Sequence, residues 1–460
     1  MQPTTLSGGP AAIAKPNAPE VTQCEPADAA ADDGSNPMTL DFDDRYIEKY
    51  WKALALMKAL PDSDPRSFKQ QADVHCAYLM GVTTSLINDP TFTIPYWNWD
   101  HPDGMAMPDM FNIKDSPFFN QNRDQRHLPP TVIELSYDGP NQENNMSNDE
   151  KVRQNLSVMY REMVGNAKTR EMFLGSPYRA GDDEPTKKSA GSIERQPHGP
   201  IHNLGNPPPN TLRYEDMGNF YSAGRDPIFY AHHANVDRSW SIWKTLARKN
   251  RDFKDKDFLN AYFYFYDENA QLVKIYVRDC LDTKKMGYDY QPMDMPWLKS
   301  RPTRRGHGHQ RGHGHAETTA TPSLNFPKSL GDQTIRTNLP RAVKSRSKTE
   351  KEDEEEVLII EVESKRDVYS KFDVFVNDED DVPTKENRVK AEYAGSFVNV
   401  PHKHKHSANG NLMTTTIKFG LTDLIEDLGA DDDDGIDITF VPRTGTESVV
   451  IKDVRIEFLD

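Results

Sequence analysis

The period of the hydrophobic pattern changes along this chain. From residue 43 to 298 apolar residues recur three and four apart, whereas after 352 they alternate, in EVLIIEVES, YSKFDVFVN, SFVNVP, TTTIKFG, DITFVP and VVIKDVRIEF. A period of 3.6 buries one face of a helix and a period of 2 one face of a strand, so the chain must build two bodies. Residues 43–298 are predicted to form a mainly α domain and 352–460 a small all-β sandwich. Between them, 299–351 carries RPTRRGHGHQRGHGHAETTATP and little apolar content, which reads as a linker. Residues 1–42, rich in Pro, Ala, Asp and Gly, read as an extended lead.

Within the helical part, Tyr46, Ile47, Tyr50, Trp51, Leu54 and Met57 form one stripe, with Asp43 or Asp44 placed to cap it. A second helix is expected to open at Asp64-Pro65, proline suiting a first helical position, and to continue through ADVHCAYLM. Phe68, Ala72, His75 and Leu79 then share a side, so His75 faces inward. A third helix is expected over 148–166. A fourth opens at Asp226-Pro227, with Phe229, His233, Val236, Trp240 and Trp243 on its buried face.

The chemistry-bearing residues are histidines. His198 and His202, in PHGPIH, are four apart, and one helical turn places both imidazoles on one side. His233 can complete a three-nitrogen site from a second helix, a donor set that suits copper, zinc or iron. A single inward histidine is ordinarily a hydrogen-bonded core residue. Three neutral imidazoles have no good reason to converge without a cation.

The formal net charge of −16 argues against a nucleic-acid partner, since a phosphate backbone selects for clustered Lys and Arg. No apolar run approaches the ~18 residues of a membrane span. Cys24, Cys76 and Cys280 allow at most one disulfide and leave the redox compartment open. The first residues lack the basic start and apolar core of a secretory signal.

HGPIH followed by GNFYSAGRDPIFYAHHANVDRSW closely resembles the second copper-binding half of the plant polyphenol oxidases, the catechol oxidase and tyrosinase family. ADVHCAY, LINDPTFTIPYWNWDHPDGM and HLPPTV before it, VRDCLD, YDY and MPWL after it, and KFDVFVNDEDD with AGSFVNVPHKHKH near the end carry the same resemblance. It implies a type-3 copper helical-bundle catalytic domain plus a C-terminal all-β sandwich domain. Two coppers, three histidines each, would oxidise an o-diphenol to an o-quinone with dioxygen, in a latent form whose β domain covers the site. Small phenols and dioxygen would be its partners, and the chloroplast thylakoid lumen its location. Carried over by position, His198, His202 and His233 would hold the second copper, with His232 outside the ligand set. Phe220 matches the bulky gate over that copper. Glu194 matches the carboxylate that orients a water, and Asn203 the residue that helps this water accept a phenol proton.

His75 corresponds to the first ligand of the first copper. Family members follow HCAYC with a longer segment holding two more histidines before LINDPTF, but here HCAY runs through LMGVTTS straight into LINDP, and Leu79 stands where the family has cysteine. A Cys24–Cys76 bridge stays open. His101 and His127 fall at ordinary loop positions. His307, His309, His313 and His315 read as linker, and His402, His404 and His406 as a surface stretch. About one copper is therefore expected for this chain. The alternative reading is a catalytically impaired copper-binding remnant, or a mispredicted gene product lacking the first copper site.

Overall fold

Helix α1, Asp44–Ala59, buries Tyr50, Leu54 and Met57, the positions at intervals of four and three. The predicted stripe is wider than the buried face: Trp51, one position on from Tyr50, is 46% exposed. In this computed structural model the described residues are 44–73, 85–89, 92–139, 145–177, 189–205, 214–286, 288–302, 321–380, 382–401 and 411–459. The lead 1–42 and His75, Cys24, Cys76, Leu79, His307, His309, His313, His315, His402, His404 and His406 lie outside them.

Helix α2 spans Phe68–Asp73 and buries Phe68 and Ala72. Helix α3, Asn148–Tyr160, starts at a capping box in which Ser147 and Glu150 satisfy each other's backbone N–H groups, and its end widens by a turn closed by Asn166 N–H on Arg161 O at 2.7 Å. Helix α4, Ile228–Leu246, is the long element expected after Asp226-Pro227. Its faces divide unevenly. Phe229, His232, Asn235, Arg238 and Trp243 are buried, while His233, Val236 and Trp240 are half-buried.

After a two-stranded antiparallel ribbon, β1 (Tyr262–Tyr266) with β2 (Leu272–Tyr276), the remaining strands form two four-stranded sheets. One has the order β3 (Lys328–Ser329), β10 (Val450–Leu459), β5 (Glu355–Lys365), β8 (Leu412–Gly420). The other runs β4 (Ile335–Pro340), β9 (Gly435–Thr444), β6 (Ser370–Val376), β7 (Tyr393–Asn399). Their facing residues, among them Ile360, Phe372, Phe397, Ile417 and Phe440, make one apolar core. β3 and β4 fall inside the stretch read as linker. Both are edge strands: β3 is two residues long, and β4, which ends at Pro340, buries Ile335, Thr337 and Leu339 in alternation but has only two aliphatic residues among them to mark it.

The sandwich packs on the helical part through buried polar groups. Arg388, in the turn between β6 and β7, binds Asp373 of β6 and Asp138 of the helical part, and Lys371 Nζ donates to Ser136 O at 2.6 Å. Asn166 joins the two from α3, donating to Ala394 O at 2.9 Å and accepting from Gly420 N–H at 3.0 Å.

Candidate metal centre

The turn from Glu194 to Leu204 carries the first two histidines, and it is wedged between α4 and the sandwich. Arg195 donates to Lys418 O at 3.1 Å, its guanidinium 4.7 Å from the centre of the Phe419 ring, and Gln196 accepts from Tyr393 Oη at 3.1 Å. A Cβ on Gly199 would meet Val398 Cγ1 and Val400 Cγ2 at 3.6 Å, so β7 and the chain beyond it lie directly against this turn. At the far end, a Cβ on Gly205 would stand 2.0 Å from Tyr214 O, and only glycine admits that approach. The close approach brings the 214–218 segment onto His202. His202 Nδ1–H then donates to Met217 O at 2.8 Å, which leaves Nε2 as the lone-pair nitrogen.

That nitrogen stands beside two others. His202 Nε2 lies 3.0 Å from His198 Nε2 and 3.2 Å from His233 Nε2. Imidazoles bonded to one ion at ~2.0–2.1 Å and tetrahedral angles would have their nitrogens ~3.3 Å apart, so the three rings already stand at the spacing an ion requires. Phe229 closes one side, its ring centre 4.0 Å from that of His233. An all-imidazole donor set in an aromatic wall fits copper, which favours imidazole over carboxylate.

His232 is fully buried beside them, its ring against the backbone of His198. Burial, then the neighbouring rings of His202, His233 and His198, hold its pKa well below the ordinary histidine value, so it is a neutral imidazole. With His198, His202 and His233 it forms the one group of potential metal donors among the described residues.

The other sequence candidates fall as follows. Glu194 lines a cavity of about 360 Å³ together with Trp240, Asp252 and Phe253; water reaches the carboxyl there, yet the protein around it raises its pKa. Asn203 is buried, its amide donating weakly to Gly199 O at 3.4 Å while Oδ1 has no partner. Phe220 is 63% exposed, on the segment that leads into α4. His101 caps a short turn through Nδ1, accepting from Asp103 N–H at 3.3 Å. His127 is buried edge-on to Tyr137, with ring centres 4.8 Å apart, and desolvation lowers its pKa to about 4. Cys280 Sγ donates to Tyr276 O at 3.6 Å.

Sequence reading missed the residues that hold α4 in place. Asp100, buried in a loop, accepts from Asn235 Nδ2 at 2.9 Å, from Arg238 Nη1 at 2.9 Å and from Trp297 Nε1 at 3.3 Å. Arg123 binds Asp226 ahead of α4 at 2.5 Å, and the next residue, Asp124, donates its N–H to Leu204 O at 2.7 Å, so one loop ties both histidine-bearing elements. The acidic residues of WNWDHPDG and GRDPIF were the available signal: a lone Asp within an otherwise aromatic run is costly to bury unless paired.

Residues 66–246 match the model of the common central domain of tyrosinase, 252–303 the polyphenol oxidase middle domain, and 326–458 the chloroplastic polyphenol oxidase C-terminal domain. The chain is 44% identical to a chloroplastic polyphenol oxidase of Malus domestica, covering 98% of this chain and 86% of that protein. It is 45% identical to a chloroplastic (+)-larreatricin hydroxylase of Larrea tridentata, over 91% of this chain and 76% of the relative. Latent apple tyrosinase superposes with a TM-score of 0.83 at 46% identity, over 92% of this chain and 96% of that one. The Malus alignment runs over 526 positions although this chain has 460 residues, so dozens of those positions fall opposite a gap here.

Proposed function

The chain belongs to the plant polyphenol oxidases, and from that premise we infer how its own residues serve the family's reaction and how much copper they hold. The reaction is the copper-dependent oxidation of o-diphenols to o-quinones with dioxygen, in a latent protein that keeps its C-terminal β domain. The relatives are chloroplastic, and the chloroplast is this chain's location; the thylakoid lumen is the finer placement we propose.

We propose that His198, His202 and His233 hold one copper. The observation that carries this is the convergence of their three Nε2 atoms at 3.0 and 3.2 Å, with the His202 tautomer set by Met217 O. Bound there, copper supplies the electron acceptance that the phenol's oxidation needs, one electron per ion where an o-diphenol gives up two. Asn203, whose buried Oδ1 has no partner, is the residue we propose to accept a hydrogen bond from a water that takes the phenol proton. Glu194, kept less acidic than usual by its surroundings, is the second group proposed for that water. Phe220 offers an exposed ring to stack on an incoming phenol.

The domain limits we propose are those of the sequence reading, a copper-binding domain over 43–298 and a β domain over 352–460, with the edge strands at 328–340 joined to the latter. His75 is proposed as a remaining ligand of the first copper. Its position, before a segment much shorter than the family's, leaves it without the two partner histidines. The test is a metal analysis of the purified protein beside an o-quinone absorbance assay. Copper lost in His198→Ala, His202→Ala and His233→Ala, with quinone formation lost in parallel, supports the site; copper and activity retained in all three contradict it.

A further inference from the structure

We infer that Tyr393, on strand β7 of the β domain, is a positioning residue for the copper site: through Gln196 it fixes where His198 stands. The inference rests on the copper reading above and adds to it the part that the β domain plays.

The turn that carries His198 does not hold itself at Gln196. Residues on either side are helical, with Ile193 at φ −61°, ψ −35° and His198 at φ −54°, ψ −58°, whereas Gln196 is extended at φ −151°, ψ 134°. Pro197 follows it and has no N–H to give. The turn closes between Gly199 N–H and Glu194 O, one residue wider than an α-helical turn. Two residues ahead of a metal ligand, the backbone therefore leaves the helical path, and the groups that hold it there come from outside the turn.

Both ends of the Gln196 side chain are fastened, and both fastenings lead to the β domain. Tyr393 Oη donates to Gln196 Oε1 at 3.1 Å. Gln196 Nε2 donates to Ser136 Oγ at 2.6 Å, and the β domain grips Ser136 in turn, its Oγ accepting from Lys371 Nζ at 3.0 Å and its carbonyl from Arg388 Nη1 at 2.9 Å. Tyr393 is itself anchored. Its hydroxyl lies 2.6 Å from Ser396 Oγ, which donates to Asp373 Oδ1 at 2.5 Å, and Arg388 and Arg443 hold that carboxylate at 2.9 and 2.7 Å. With the Ser396 proton drawn to the carboxylate, the Tyr393 proton is free for Gln196 Oε1. Gln196, Tyr393, Ser136, Ser396 and Asp373 are each no more than 1% exposed, so water does not replace a bond lost among them.

The same strand also touches the turn beyond His198, where Val398 lies against Gly199. His202 thus has its ring set by Met217 O from the helical part, and His198 has its backbone set from β7. Groups that orient metal ligands are typically worth ~10–100-fold in affinity, and Tyr393 acts one step further out.

The test loads the full chain with copper and reads the Cu(II) EPR spectrum, the copper dissociation constant and the unfolding midpoint. Tyr393→Phe keeps the ring and removes only the hydroxyl; Gln196→Asn keeps the amide and draws it back from Tyr393. Each is expected to shift the copper hyperfine splitting and to weaken copper binding several-fold, and the double variant to do no more than either alone. A bond that serves stability only would lower the unfolding midpoint and leave spectrum and affinity at their native values, and that result overturns the inference while the copper reading stands. Additive losses in the double variant overturn it too, because the two side chains then act separately. Should Tyr393→Phe fail to fold, Gln196→Asn, which breaks the same bond from its other side, carries the decision. Failure of the native chain to bind copper overturns both this inference and the reading it rests on.

Discussion

Arg238 donates from Nη1 to both carboxylate oxygens of Asp100, at 2.9 and 3.1 Å, and neither side chain is more than 2% exposed. The pair fixes α4 one turn beyond His233. Removing one partner strands a buried charge, which typically costs ~3–5 kcal/mol. Asp100→Ala should lower stability by that amount in denaturant unfolding, and weaken copper binding because Asn235 and Trp297 lose the same acceptor. An Asp100→Ala protein with unchanged unfolding midpoint would show that α4 is held elsewhere.

A pH response follows from His127. Its folded pKa of about 4 lies below the ordinary 6.5, so between these values the unfolded chain binds a proton that the folded one refuses. Stability from this group is present above pH 6.5 and is lost as pH falls toward 4, by up to ~3 kcal/mol. His127→Phe should flatten that part of the stability curve relative to the native chain; equal slopes in both would rule the group out.

Two buried carboxyls act in the opposite sense where the helical part meets the sandwich. Burial raises Glu162 and Glu355 each to about 7; Arg195 opposes the first and Lys168 the second. The packed state therefore keeps protons that free carboxyls release from pH 4.5 upward, and the contribution is lost as pH rises toward 7 and beyond. The β unit of a chain nicked in the 303–320 stretch should stay attached at pH 5 and separate more readily at pH 8. Glu162→Gln with Glu355→Gln should remove the difference on gel filtration.

Much of the site was legible because its signal is local. His198 and His202 sit one turn apart, and His233 lies on a helix announced by Asp226-Pro227, so spacing alone brought the three together. Asp100 was illegible for the opposite reason: its partners Asn235, Arg238 and Trp297 are far along the chain, and an Asp beside a His in WNWDHPDG reads as a turn. In the sandwich β5 to β10 were visible as β-rich runs, while β3 was missed because it is two residues long and β4 because its run, Ile335–Pro340, holds only two aliphatic residues beside Arg, Thr and Asn.

Phe220 is on a segment whose tip projects into solvent, and a stacking role affects binding more than chemistry. Phe220→Ala should raise KM for an o-diphenol several-fold while kcat changes little. A fall in kcat at constant KM would move this residue out of the entry path and into the reaction itself.

The central claim is that three of the described histidines hold one copper and that the first copper's site is incomplete. Metal analysis of the purified full chain, read per molecule, tests it directly. About one copper per chain is expected, absent in His202→Ala, and catechol oxidation should be far slower than that of a relative with both sites. Two coppers per chain, with the rapid o-quinone formation of a paired site, would contradict it.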